Sequence, residues 1–146
     1  MRDRRVLVAV AVAYVVAVVV LVVGPWGRQL NDATVACYDW FRYHWPLAPL
    51  WALPEHYGVL LNVALFVPAG ALLVALTPCR WWGAVVLAAA ASGAIELAQA
   101  RWLDRIGEWS DVGANTLGAA IGALAVTLLS RRRSRRAGPP ASPRRR

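Results

Sequence analysis

Lysine is absent from the 146-residue chain, histidine and cysteine each occur twice, and methionine once. These shortages exclude much chemistry. His44 and His56 have no ligand spacing to another donor, so no metal centre and no cofactor are expected. No Ser/His or Cys/His pair stands out as an activated nucleophile. Cys37 and Cys79 fall on opposite membrane sides in the topology derived below, so they read as small apolar residues, not as a disulfide. No internal repeat is present. Charged residues make up 16% of the chain and hydrophobic ones 59%, and mean hydropathy is +0.47. With several long apolar runs, that composition is an integral membrane protein's and not a soluble domain's.

The net charge of +8 is concentrated at one end. Eight arginines lie between Arg131 and Arg146, and the other eight balance the eight acids. A pI near 11.0 would normally suggest a nucleic-acid partner. Here the basic run directly follows an apolar helix. It reads as a cytoplasmic contact for anionic membrane lipid, or as a solvated tail that fixes topology, with no nucleic-acid role.

Four runs are long enough to cross a bilayer: Val6–Val23, Tyr57–Leu76, Trp81–Ala100 and Val112–Leu129. At ~1.5 Å per residue, about 18–20 residues match the ~30 Å hydrocarbon layer. The first run follows Arg2, Arg4 and Arg5 like a signal peptide, but Gly24-Pro25-Trp26 replaces a small-x-small cleavage site, so the span is expected to be retained. Thr34-Val35-Ala36-Cys37 faintly resembles a lipidation site, yet it lies too far beyond the apolar run. With both termini inside, the inner loops hold Arg2, Arg4, Arg5, Arg80 and the eight tail arginines. The outer loops hold Arg28, Arg42, Arg101 and Arg105, which is twelve against four. The expected architecture is an all-α membrane protein. Residues 1–130 form a four-transmembrane-helix bundle with both termini cytoplasmic, and residues 131–146 a basic disordered tail.

Between the first two spans, Leu30, Ala33, Thr34, Cys37, Tyr38, Phe41 and Trp45 recur at helical spacing. That pattern suggests an amphipathic helix in the outer interface, with Trp26, Trp40, Trp45 and Trp51 at headgroup level. Pro46, Pro49 and Pro54 then break any helix before the second span. Trp81 and Trp82 form the opposite belt.

Asn62, Glu96, Gln99, Arg105, Asp111 and Asn115 lie within or beside the apolar runs. An Asp at a membrane-helix centre costs about 2.5–3.5 kcal/mol on insertion scales unless it finds a partner or water, so such residues are functional-site candidates. Helical rise places Asn62, Glu96 and Asn115 roughly 6–8 Å below one membrane face. Glu96 and Gln99 share a face that Ser92 extends, and Asp111 and Asn115 share another. Gly118 and Gly122 continue the second stripe as a Gly-x-x-x-Gly pair, whose expected partner is the Ala88, Ser92 and Gly93 surface. That approach would bring Glu96 beside Asn115. Pro68 should free the Ala64 carbonyl and bend the second span around the site. The Arg105 fork can bridge Glu96 and Asp111. The set reads as a locked structural network, as an active site, or as a site for a headgroup or other ligand.

Three stretches in this order resemble the VanZ-like family of small membrane proteins. They are Asn62-Val-Ala-Leu-Phe-Val-Pro68-Ala-Gly70, Glu96-Leu-Ala-Gln99, and Arg105 followed by Asp111-Val-Gly-Ala-Asn115-Thr-Leu-Gly118. The resemblance covers about residues 60–125 and extends to Gly122. It implies a four-helix domain in the bacterial cytoplasmic membrane and a link to tolerance of teicoplanin-type glycopeptide antibiotics through the cell envelope. Three functions are compatible with the residues. The first is an outer-face protein that binds or modulates an envelope lipid, a lipid-linked wall precursor or the antibiotic; there Arg105 would meet an anionic group and Asn62, Gln99 and Asn115 would supply hydrogen bonds. The second is an intramembrane enzyme on such substrates, with Glu96 and Asp111 as acid and base. The third is a structural or assembly subunit of an envelope complex. The polar residues cluster at one face and do not cross the bilayer, which argues against a channel. Four short spans are few for a closed chamber, which is compatible with a homodimer.

Overall fold

Among the described residues five helices follow one another: α1 (Arg2–Val23), α2 (Gly27–Tyr43), α3 (Pro54–Leu76), α4 (Trp81–Trp102) and α5 (Trp109–Arg136). The computed structural model describes residues 2–44, 49, 51–102 and 109–136. Trp45, Pro46 and Arg105, and residues 137–146 of the basic tail, lie outside the described residues. No strand occurs among the described residues. Four of the helices (α1, α3, α4 and α5) are long and apolar enough to cross a membrane. α3 begins on Pro54 itself, because a proline at the first helical position loses no hydrogen bond that the helix would have made. α5 does not stop where the arginines begin. It runs on to Arg136, and its 28 residues reach about 42 Å, longer than the ~30 Å apolar layer.

α5 is the hub. It lies against α3 along one side and against α4 along another, and its residues Ala114, Asn115, Gly118, Ala119, Gly122 and Ala123 are buried. The α4 side is a stripe of small residues, Ala84, Ala88 and Ser92, one helical turn apart and all buried. Between helices in lipid the gain comes from close packing, so small side chains mark the seams.

The α3–α5 seam is the tighter one. A Cβ on Gly118 would overlap the Val63 carbonyl, one on Gly122 the Val67 carbonyl, and one on Gly70 the Ala119 carbonyl. The Gly-x-x-x-Gly stripe of α5 therefore faces α3. This corrects the expectation that it would face Ala88, Ser92 and Gly93 of α4: a Cβ on Gly93 would meet nothing within 4 Å. Contacts advance together along α3 and α5, so these two helices run the same way, with α4 antiparallel between them in sequence.

α1 touches the bundle lightly, and most of its valines are exposed, as suits a helix surrounded by lipid. Its anchor is Tyr14, whose hydroxyl donates to the Leu65 carbonyl at 2.8 Å. That carbonyl is one residue beyond the Ala64 carbonyl, which Pro68 inside α3 deprives of its usual donor. α2 lies on the first turns of α3. Thr34, Cys37, Tyr38 and Phe41, spaced as one helical face, are half-buried, and Tyr57 of α3 packs edge-on to Tyr38 and stacks beside Phe41, with ring centroids 5.5 and 6.0 Å apart. Cys37 and Cys79 are free thiols.

Candidate functional site

The starts of α3 and α5 and one face of α2 line an open cavity of about 520 Å³ at one end of the bundle. α3 contributes Glu55, His56 and Asn62 to its lining, α5 contributes Ser110 and Asp111, and α2 contributes Asn31 and Thr34. Local sequence explains why polar groups gather here. α3 opens on Pro54-Glu55-His56 and α5 on Trp109-Ser110-Asp111 ahead of their apolar runs, and the first turn of a helix leaves backbone N–H groups that favour acceptors such as Glu55 and Asp111. His56 closes the start of α3: its Nδ1 accepts the Leu53 backbone N–H at 2.9 Å, and its own backbone N–H donates to the Leu53 carbonyl at 3.0 Å. Trp51 packs edge-on to the imidazole, with ring centroids 5.6 Å apart. Gly58 faces Thr34 across the α2–α3 crossing, where an added Cβ would sit 3.9 Å from the threonine methyl.

Of the residues singled out in the sequence, Asn62 and Asp111 meet here. Both are half-buried, and they line the same cavity from two different helices. Asn115 lies one turn deeper on α5, where it is only 6% exposed. Its Nδ2 donates to the Oγ of the fully buried Ser92 at 2.8 Å. Its Oδ1 is buried and accepts no hydrogen bond from the described residues, so the seam holds an acceptor ready for a donor. The α3–α5 contact, Val63–Ala71 against Gly118–Gly122, is centred on Val67 and Ala120. Asn62 and Asn115 each lie five residues before those centres, which carries them to a similar depth.

The remaining candidates are placed differently. Glu96 and Gln99 are half-buried on α4, with Glu96 one turn from Ser92 towards the cavity end, and each has a polar or electrostatic partner. Neither is part of the cavity lining. The polar stripes of α4 and α5 meet at Ser92 and Asn115. Gly70, Gly118 and Gly122 are buried in the α3–α5 seam, and Pro68 is exposed on the outside of α3. Among the described residues no three His, Cys, Asp or Glu side chains gather as a metal site.

Sequence reasoning missed Asn31, Glu55, His56 and Ser110 as parts of this cavity. They lie outside or at the margin of the apolar runs, where a polar side chain costs nothing and raises no alarm. Their signal was positional: each stands in the first turns of a helix that begins at the same end of the bundle.

The family described as VanZ/LLP1 matches residues 11–130, which takes in α2, α3 and α4 and the larger part of α1 and α5. No curated protein matches the chain, and no solved structure matches it.

Proposed function

The chain belongs to the VanZ/LLP1 family, and from that membership and the cavity geometry we propose that it binds the polar head of a lipid-linked cell-wall component at the outer face of the cytoplasmic membrane. One observation carries this reading: Asn62 and Asp111, from two helices that each span the bundle, line one cavity of about 520 Å³. That volume falls within the range of ordinary small-molecule sites, and a few convergent polar groups in an apolar frame is how such sites choose a ligand. Asn62 and Asn31 offer donors and acceptors to sugar or phosphate oxygens, and Asp111 and Glu55 accept from hydroxyl, amide or ammonium groups. Arg105 enters as the contact for an anionic group.

Orientation rests on the arginine count. The cavity end carries the fewer loop arginines, so it faces outward, both termini are inside, and α2 lies in the outer interface. A lipid-linked ligand then reaches the cavity sideways from the outer leaflet. Tolerance of teicoplanin-type glycopeptides would follow from competition for, or altered presentation of, the same wall component.

The test is mass spectrometry of lipids and wall precursors copurifying with the wild type and with Asn62→Ala, Arg105→Gln and Asp111→Asn. The expected result is a lipid-linked wall precursor enriched with the wild type and reduced about tenfold in the variants, the effect of losing one charged hydrogen bond worth ~1.4 kcal/mol. The same lipids in all four samples would overturn the reading. The enzymatic alternative, with Glu96 and Asp111 as acid and base, has less to stand on because only Asp111 lines the cavity. Product formation by the wild type that disappears in Glu96→Gln would restore it. Loss of membrane accumulation in both Glu96→Gln and Asp111→Asn would favour a structural or assembly role.

A further inference from the structure

The end of the bundle opposite the cavity has a different chemistry. α2 begins at the cavity end, only three residues after α1, so α1 runs antiparallel to α3 and its first turn lies at the far end. The α3–α4 turn lies there too, and so does the last turn of α5, which runs parallel to α3. Together they place the exposed side chains of Arg4, Arg5, Arg80, Arg131, Arg132 and Arg133 on one rim, with Asp3 as the acid among the described residues there. Exposed Trp81 and Trp82 stand beside Arg80. The mixture of arginine and tryptophan is what an anionic lipid surface selects.

Below this rim, α1 and α3 do not close on each other. A groove of about 260 Å³ lies between Ala11, Tyr14 and Val15 on α1 and Ala69, Leu72 and Leu76 on α3, and it extends to Thr77. Its lining is almost wholly apolar. From Ala69 to Thr77 it follows about 12 Å of α3 at helical rise. Tyr14, bonded to Leu65, closes its inner end. Its outer end opens towards Arg80, three residues after Thr77, and towards Arg5, about 9 Å along α1 from Ala11. An apolar slot of that length beneath a cluster of guanidinium groups matches a molecule with a hydrocarbon chain on a phosphate.

We propose that the α1–α3 groove is a binding site for an anionic phospholipid, with one acyl chain between Ala11 and Leu72 and its phosphate held by Arg5 and Arg80. The groove sets the position and the arginines set the preference for charge. A zwitterionic lipid offers the same chain but carries an ammonium that the rim repels. The site is separate from the cavity proposed above and would stand if that reading fell.

The experiment is native mass spectrometry of the purified full chain in detergent with an equal mixture of phosphatidylglycerol and phosphatidylcholine. Three variants are compared with the wild type: Ala11→Phe to fill the groove, Arg5→Gln with Arg80→Gln to remove its charges, and Arg28→Gln with Arg42→Gln on α2 as a charge-matched control away from this rim. The wild type is expected to retain phosphatidylglycerol in preference. That preference should fall about tenfold in the first two variants and change less than about twofold in the control. Should Ala11→Phe detach α1, Leu72→Phe fills the same groove from the α3 side. Equal retention of the two lipids by the wild type would overturn the site. So would full retention with the groove filled, or an equal loss in the α2 control, which would assign the preference to net charge and not to the groove. A dimer that Ala11→Phe dissociates without changing lipid retention would give the groove to a second copy of the chain.

Discussion

Asn115 donates a hydrogen bond to Ser92 at 2.8 Å, and both side chains are buried in the seam between α4 and α5. The bond joins the polar stripe of one helix to that of the next at the level where Asn62 enters from α3. Removing its acceptor in Ser92→Ala leaves the amide without that partner. Such interhelical bonds in membranes contribute about 0.6 kcal/mol on average and up to ~1.7. Ser92→Ala should destabilise the bundle by an amount in that range, measured as a shift in thermal unfolding in detergent. Asn115→Ala should cost more, because it also vacates volume in a tight seam. The double variant should cost less than the sum, since both single changes break the same bond. Strict additivity would show that the two side chains do not interact.

The α3–α5 seam gives a sharper prediction. Gly118→Ala, Gly122→Ala and Gly70→Ala each place a methyl group on a backbone carbonyl of the facing helix, and backbone cannot swing aside as a side chain can. Each should cost ~1–3 kcal/mol through overpacking. Gly93→Ala on α4 meets open space and should be neutral or slightly stabilising, because alanine favours helix by up to ~1 kcal/mol over glycine. Unfolding midpoints of the four variants in one detergent would check this. A large loss in Gly93→Ala with no loss in Gly118→Ala would reverse the assignment of the seam.

That contrast also shows where the sequence was legible. The four apolar helices and the helical face of α2 followed from hydrophobic length and spacing alone. The Gly-x-x-x-Gly pair announced that another backbone comes close, but glycine carries no mark of which helix that is; α3 and α4 both offered small residues. The cavity was legible in part for a related reason. Asn62 stood out because it lies within an apolar run, and Asp111 because it begins one. Glu55, His56 and Asn31 share the same cavity yet sit where polar side chains are ordinary. Desolvation cost singles out a buried polar residue and says nothing about one at a helix start.

Tyr14 ties an otherwise lipid-exposed helix to the bundle through a single hydroxyl, 2.8 Å from the Leu65 carbonyl. Tyr14→Phe keeps the ring and deletes the bond, at an expected cost of ~1 kcal/mol. The loss should be local to α1. Cysteines introduced at Ala11 and Leu72, which line the same groove, should cross-link in the wild-type background and more slowly in Tyr14→Phe, while unfolding of the α3–α4–α5 unit stays unchanged. Equal cross-linking rates would mean that the hydroxyl does not hold α1 in place.

α2 depends on one aromatic residue in the same way. Tyr57 meets Tyr38 edge-on and stacks beside Phe41, and an aromatic pair adds about 0.5–1.5 kcal/mol beyond its buried area. Tyr57→Ala removes both pairs and should loosen α2 by ~1–3 kcal/mol. The consequence reaches the cavity, since α2 supplies Asn31 and Thr34 to its wall. Hydrogen exchange across Gly27–Tyr43 should therefore accelerate in Tyr57→Ala, and the copurifying wall precursor should diminish, although Asn62 and Asp111 are untouched. Exchange in α5 should stay slow, because its partners are α3 and α4. Faster exchange in α2 with undiminished precursor would show that the ligand needs only the α3 and α5 walls.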